Sequence, residues 1–195
     1  MKNGNPGEPW DKHCHSNLTS ADLTGTPITV SDRIWIGDRY AEHRLLILGE
    51  SYYGQYEGDM ETDEVYLREH VAGRQPDKMY EKMEQALGLT AAQLWHQCIF
   101  TNLVTGSIGD TYRATAKVDQ FKAGLPRLRE LLRRHGPARV WIMGKTQSKY
   151  SGRVVDEFGA RWVACYHPTG KNNMKEGTRA TPEHVRATWT ALHGR

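Results

Sequence analysis

The feature that most constrains the fold of this 195-residue chain is the apolar run Leu45–Leu48, which ends at Gly49. Four consecutive apolar residues before a glycine are typical of a strand buried on both faces, as in parallel sheets covered by helices. Glu50 and Ser51 follow directly. Because ligands of open α/β sheets bind outside the carboxyl ends of the strands, the run also predicts where a ligand site lies.

Three further segments predict strands, namely Cys98–Val104, Val140–Met143 and Arg161–Tyr166, with helical patterns between them. The clearest helix covers Lys117–His135, and a proline within it predicts a kink or break near Gly124. Strands that alternate with helices favour parallel pairing. We therefore predict a three-layer α/β/α sandwich around a central, mainly parallel four-stranded sheet.

Length and composition predict one main domain. Residues 1–26 are polar and rich in Gly and Pro, which indicates an N-terminal arm, and 27–195 form the expected single α/β domain. Within it, Ile28–Ile36 predicts a short strand or an edge hairpin. Nothing approaches the roughly 20 apolar residues of a membrane span, and no signal-peptide pattern is present. We expect a cytoplasmic monomer without a membrane partner.

Cysteine usage predicts neither disulfides nor a metal centre. The three cysteines, Cys14, Cys98 and Cys165, are odd in number and widely spaced, as expected for reduced thiols. His13 and His15 flank Cys14, but no second ligand pair follows at zinc-finger spacing. We predict no metal and no cofactor.

Charge is distributed unevenly along the chain. The net charge is +3, yet residues 1–110 hold 9 Lys and Arg against 17 Asp and Glu, whereas residues 111–195 hold 17 against 6. A basic half favours a partner rich in phosphate, such as nucleic acid. A solvated basic helix face would explain the same excess. Charge alone leaves both interpretations open.

Each predicted parallel strand carries polar groups at or near its carboxyl end. Asn102 is unusual, because asparagine is disfavoured within a strand and a buried amide needs a partner or a pocket. Gly144 begins a helix, whose N-terminus is a natural anion site. The polar groups expected at this edge are Glu50, Ser51, Asn102, Lys145, Thr146 and His167. An acid, an amide and an imidazole at one edge predict a pocket.

Four motifs in this order resemble the uracil-DNA glycosylase superfamily over residues 44 to about 192. The motifs are Gly49–Ser51, Phe100–Val104, Val140–Thr146 and Tyr166–Thr169. They are similar to the G-E-A, Y-I-T-N-V-V, strand-then-L-G and Y-H-P-S motifs of the iron–sulfur branch of that superfamily. Their order and spacing carry the resemblance, since no single motif is specific.

The resemblance implies a DNA glycosylase, which hydrolyses the N-glycosidic bond of a flipped-out base. His167 would donate to O2 of the base and stabilise the departing anion. Asn102 would read the base edge with one donor and one acceptor. Glu50, with Ser51 beside it, would position the attacking water.

The resemblance also implies base and DNA contacts beyond these groups. Phe100 belongs to the base-binding strand motif, and Tyr53 falls where a tyrosine crowds C5 of the base. The expected stacking phenylalanine is absent, and Tyr56 is a candidate replacement, as is Tyr66. The residues expected to contact DNA phosphates or to wedge the duplex are Lys145, Thr146, Lys171 and Met174.

Departures from the family pattern keep alternatives open. Ser51 stands where the classical branch of that superfamily, with its G-Q-D motif, has an aspartate. The three cysteines do not match the four that ligate an iron–sulfur cluster in the other branch. The expected substrate is uracil or a modified pyrimidine, which includes bases of foreign DNA and hence a role in repair or antiphage defence. No lysine is placed for a lyase step. A catalytically inactive DNA-binding protein remains an alternative. An SGNH-type esterase with Ser51 as nucleophile is another, although Ala164 replaces its orienting aspartate.

Overall fold

A computed structural model describes residues 34–51, 63–105, 108, 116–168 and 180–194. The strands are β1 (Trp35–Ile36), β2 (Leu45–Gly49), β3 (Cys98–Asn102), β4 (Arg139–Met143) and β5 (Arg161–Cys165). The helices are α1 (Tyr40–His43), α2 (Asp63–Val71), α3 (Lys78–Leu87), α4 (Ala91–Trp95), α5 (Val118–His135), α6 (Lys145–Asp156) and α7 (Pro182–His193). The strands form one sheet in the order β1-β3-β2-β4-β5.

The sheet is parallel except at one edge. β1 pairs antiparallel with β3, and the other neighbours pair parallel. β2 lies at the centre, between β3 and β4. The parallel strands end level with one another, because Gly49 pairs with Asn102 and Met143 pairs with Cys165. Their carboxyl ends therefore share one edge of the sheet.

Helices bury both faces of the sheet, as the unbroken apolar run of β2 predicts. Leu46 and Leu48 face a core formed with α5 and α6, whereas Leu45 and Ile47 face a core formed with α2, α3, α4 and α7. All four side chains are at most 1 % exposed. The result is the predicted α/β/α sandwich.

The predicted fold class is confirmed, with one correction. The sheet has five strands rather than four. The additional strand, Trp35–Ile36, lies at the end of Ile28–Ile36, where the sequence predicts a strand or edge hairpin. Two residues cannot show an alternating pattern of their own, so the sequence does not separate this strand from a turn. The predicted arm at 1–26 lies outside the described residues.

Helix caps agree with the sequence signals. Asp77 accepts hydrogen bonds from the backbone N–H groups of Met79 and Tyr80 at 2.7 and 3.1 Å, which begins α3. Thr90 and Gln93 form a capping box at the start of α4, as expected for Thr followed three residues later by Gln.

α5 continues through Pro126, so the helix does not break near Gly124, where the sequence predicts a kink or a break. A Cβ at Gly124 would lie 2.2 Å from the backbone oxygen of Leu103. The glycine therefore allows the helix to approach the end of β3 closely, which is its structural role here. No helix in the described ranges is long and apolar enough to cross a membrane.

Candidate active site

At the carboxyl edge of the sheet, the predicted acid and amide belong to neighbouring strand ends. Backbone bonds run from Leu103 N–H to the Gly49 oxygen at 2.9 Å and from Val104 N–H to the Glu50 oxygen at 3.0 Å. These bonds extend the β2–β3 pairing past the last strand residues. Glu50 and Asn102 consequently stand on adjacent, hydrogen-bonded strand ends.

The Asn102 side chain lies over Gly49. A Cβ at Gly49 would be 2.2 Å from Asn102 Oδ1 and 3.3 Å from Cζ of Phe100. The missing side chain thus provides the space that the amide occupies. Asn102 is only 7 % exposed, and its Nδ2 donates to Oδ1 of Asp63 at 3.2 Å.

Asp63 connects this amide to the rest of the site. Its Oδ2 accepts from Thr101 Oγ1 at 2.8 Å and from the Asn102 backbone N–H at 3.4 Å. Arg127 of α5 donates to Thr101 Oγ1 at 2.7 Å and to the Asn102 backbone oxygen at 3.0 Å. Asp63 is 2 % exposed, so buried hydrogen bonds fix the end of β3 to both α2 and α5.

The Glu50 carboxylate lies between the ends of β2 and β4. Its Oε2 would be 2.8 Å from a Cβ at Gly144, the residue that caps α6. Glu50 is 8 % exposed, and this burial raises the pKa of its carboxyl group, partly offset by a hydrogen bond from the Ala116 backbone. Raising the pKa of a carboxyl brings it closer to the range useful for a general base.

Two buried polar atoms at this end of β2 have no protein partner within the described ranges. They are Oγ of Ser51 and Oε1 of Gln147. Nε2 of Gln147 donates to the backbone oxygens of Leu48 and Met143 at 3.2 and 2.8 Å, which ties α6 to both strand ends. Buried polar atoms are rarely left without a partner, so this location suits a bound water or a substrate atom.

His167 follows β5 by two residues and lies partly buried. Burial lowers the pKa of its imidazole to about 4, while Asp77 opposes the shift and Lys82 adds to it. Asp77 is the N-cap of α3, and Lys82 lies within that helix. The imidazole is therefore neutral at physiological pH and lies on the α3 side of the sheet.

The amide of Asn102 lies on the same side of the sheet as His167. Its neighbour Phe100 is 1 % exposed and packs its ring against Tyr80 of α3, with 5.4 Å between the ring centroids. Because Asn102 follows Phe100 by two residues in β3, the two side chains share a face. An imidazole and an amide thus face the α3 side at the edge where Glu50 also lies.

Lys145 and Thr146 begin α6 at this edge and are exposed. The Lys145 ammonium lies 5.5 Å from the centroid of the Tyr166 ring, a cation–π contact. The Tyr166 backbone N–H donates to Nε2 of His184 at 3.3 Å. A helix N-terminus with a lysine beside it is suited to a phosphate group. The DNA contact at Lys145 and Thr146 stays a prediction.

Several predicted contacts lie outside the described residues, namely Tyr53, Tyr56, Lys171 and Met174. Phe100 is described, and it lies in the core behind Gly49. Tyr66 lies in α2 and donates to Asp77 at 3.1 Å. Within the described ranges, no group of three or more His, Cys, Asp or Glu side chains could hold a metal ion. Cys98 and Cys165 are buried thiols there.

Sequence reasoning missed three members of this site, Asp63, Arg127 and Gln147. Asp63 stands in an acidic stretch that looks unsuited to a DNA protein, and only its burial reveals its role. Arg127 is one of many cations of a basic helix, and Gln147 resembles any polar residue of a first helical turn. The buried amide of Asn102 was the available signal, because it requires partners that the sequence does not name.

The fold is that of an open α/β protein, a class in which ligands bind outside the carboxyl ends of the parallel strands. The sequence model of the Uracil DNA glycosylase superfamily matches residues 38–193. The chain therefore belongs to the uracil-DNA glycosylase superfamily. No curated protein matches the chain.

Proposed function

We propose that this protein is a monofunctional DNA glycosylase that hydrolyses the N-glycosidic bond of a flipped-out uracil or modified pyrimidine. The observation that carries the proposal is the arrangement at one sheet edge of a buried carboxyl, a hydrogen-bonded amide and a neutral imidazole. Membership of the superfamily supports the reaction class. The choice of a pyrimidine as the substrate base is inferred from Asn102.

The chemistry of glycosidic cleavage fits these groups. Bond breaking leaves negative charge on the base and positive charge on the sugar. A neutral His167 donates a hydrogen bond to the base oxygen as negative charge develops there. It acts as an imidazole and not as a positively charged imidazolium. Its low pKa, caused by burial, keeps it neutral across the physiological range.

Glu50 supplies the general base for the attacking water. Its pKa is raised by burial, and the orphaned oxygens of Ser51 and Gln147 border the same end of β2. Together these acceptors would hold a water against the face of the sugar. Ser51, in place of an aspartate, would orient this water without activating it.

The reaction would end at an abasic site. The Lys145 ammonium, which packs over the Tyr166 ring, is assigned to DNA contact and not to a lyase step. The basic half of the chain, residues 111–195, supports DNA as the partner. Whether the base belongs to damaged host DNA or to modified foreign DNA decides between a repair and an antiphage role.

The test uses DNA duplexes and single strands that carry one uracil, hypoxanthine, 5-hydroxymethyluracil or 5-hydroxymethylcytosine. Alkali-labile breaks report base release. His167→Ala should lower single-turnover release by about 100- to 1000-fold, in the range of an oxyanion donor, with DNA affinity changed far less. Asn102→Asp should change which base is released. Equal losses of binding and release in His167→Ala would contradict the anion-stabilising role.

A catalytically inactive DNA-binding protein is the second candidate. It would bind DNA with a steep salt dependence yet leave no alkali-labile site on any duplex of the panel. The esterase alternative gains no support, because Oγ of Ser51 has no hydrogen-bonded base within the described ranges. Ala164, where that mechanism needs a carboxylate, lies in the apolar core.

A further inference from the structure

The directions of the hydrogen bonds that join Arg127, Thr101 and Asp63 follow from chemistry. A guanidinium only donates, so Thr101 Oγ1 accepts from Arg127. The single hydroxyl hydrogen of Thr101 is then directed at Oδ2 of Asp63, 2.8 Å away. The Asn102 backbone N–H donates to the same oxygen. The Asp63 carboxyl group therefore acts as an acceptor in this network.

An acceptor at Asp63 determines which end of the Asn102 amide faces it. Nδ2 lies 3.2 Å from Oδ1 of Asp63, and Oδ1 of Asn102 lies on the opposite side, over Gly49. Rotating the amide by 180° would place its oxygen against a carboxylate oxygen. Two facing acceptors repel each other and leave a buried amide nitrogen without this bond.

Pyrimidines differ in the order of donors and acceptors on the edge an asparagine reads. Uracil-type bases present an N3–H donor beside the O4 acceptor, whereas cytosine-type bases present an N3 acceptor beside the N4 amino donor. An asparagine that can turn over will pair with either order. An asparagine held in one orientation will pair with only one.

We propose that Asp63 is a positioning residue that locks the Asn102 amide in one orientation, so that the pocket accepts one of these two edge patterns and rejects the other. This proposal rests on the proposed function, because it assigns the specificity of the same site. A lost and reversed bidentate pair corresponds to about 10- to 100-fold in discrimination between bases. The buried bonds from Thr101 and Arg127 hold Asp63 itself in place.

The experiment compares Asp63→Asn with the wild type on matched substrate pairs. Uracil and cytosine form one pair, and 5-hydroxymethyluracil and 5-hydroxymethylcytosine form the other, each at one position of the same duplex. In the isosteric amide, the oxygen still accepts from Thr101 and the NH2 group then faces Asn102, so the Asn102 amide should turn over. Within each pair, we divide the single-turnover release rate of the base that the wild type prefers by that of the other base. We expect this ratio to fall by at least 10-fold in Asp63→Asn. Asp119→Asn, which removes one exposed charge from α5, should leave that ratio unchanged.

An equal fall of both rates in Asp63→Asn would overturn the proposal, because it would show a packing role alone. A measurement that does not depend on turnover separates this result from failure of the proposed function. In the wild type, one of the two Asn102 Nδ2 protons should exchange slowly with solvent by NMR, with the signal assigned through its loss in Asn102→Ser. Fast exchange of both protons would overturn the lock, even if none of the four bases is released.

Discussion

Replacing Gly49 by alanine tests whether the site depends on the seat of the Asn102 amide. The new Cβ would lie 2.2 Å from Asn102 Oδ1, whereas ordinary contacts begin at 3.4 Å, so the amide must retreat by about 1.2 Å. This movement displaces Nδ2 relative to Oδ1 of Asp63, so the 3.2 Å bond between them cannot keep its present geometry. Loss of a buried bond to a carboxylate costs about 1.5–3 kcal/mol of unfolding free energy.

The expected effect on base release is larger than the effect on stability suggests. A displacement of about 1 Å in a substrate-positioning group lowers turnover by about 100-fold. Single-turnover release from the best substrate of the duplex panel, together with urea unfolding, measures both effects. Gly73→Ala is the control, because Gly73 has a φ of +73° and open space around its Cβ position. It should cost about 1 kcal/mol through backbone strain alone and leave release unchanged.

Unchanged release by Gly49→Ala, at a stability loss like that of Gly73→Ala, would refute this reasoning. It would show that the Asn102 amide either is not seated on Gly49 or does not contact the base. A loss of release in both variants would instead attribute the effect to general destabilisation.

Three further predictions concern two histidines whose pKa values are shifted, His167 and His70, and the glycine at the start of α6. His167, with a pKa lowered to about 4 by burial, destabilises the fold as pH falls from 6.5 towards 4, so His167→Gln should flatten the pH dependence of urea unfolding in that window. For His70, burial opposes but the Glu84 hydrogen bond and charge prevail and raise the pKa. Its stabilisation is complete below pH 6.5 and is lost as pH rises through the raised pKa, a slope that His70→Gln should remove in thermal unfolding between pH 6 and 9. Gly144→Ala, with a φ of +138° and a Cβ 2.8 Å from Glu50 Oε2, should cost about 1–3 kcal/mol and slow base release, and a wild-type release rate would contradict the proximity of Glu50 to the reaction.

The sequence predicted which polar residues stand at the carboxyl ends of the strands. Glu50 and Asn102 could be found because a strand end exposes the next polar group and because a buried asparagine within a strand is costly. Both inferences use only neighbours along the chain. The register between Gly49 and Asn102 then brings them together without any further information.

The parts that could not be predicted depend on contacts between distant segments. Asp63 reaches Thr101 across 38 positions, and Arg127 approaches the same hydroxyl from α5. No local pattern marks either partner, since an acidic helix start and a basic helix face are common on solvated surfaces. Gly124 shows the same limit. Along the chain, Gly124 and Pro126 indicate a kink or break in the helix, whereas in the fold Gly124 allows α5 to pack closely on Leu103.

Because β2 lies between β3 and β4, the candidate site has two sides, one along each of these neighbouring strands, and β2 is common to both. Under the proposed function, base reading belongs to the β2–β3 side, where Asn102 and Asp63 meet, and hydrolysis belongs to the β2–β4 side, where the Glu50 carboxylate lies beside Gly144. Substitutions on the β2–β3 side would redirect the protein towards a different base while the hydrolytic half stays intact. One strand would then separate the choice of base from the cleavage of its bond, so that either could change in evolution without the other.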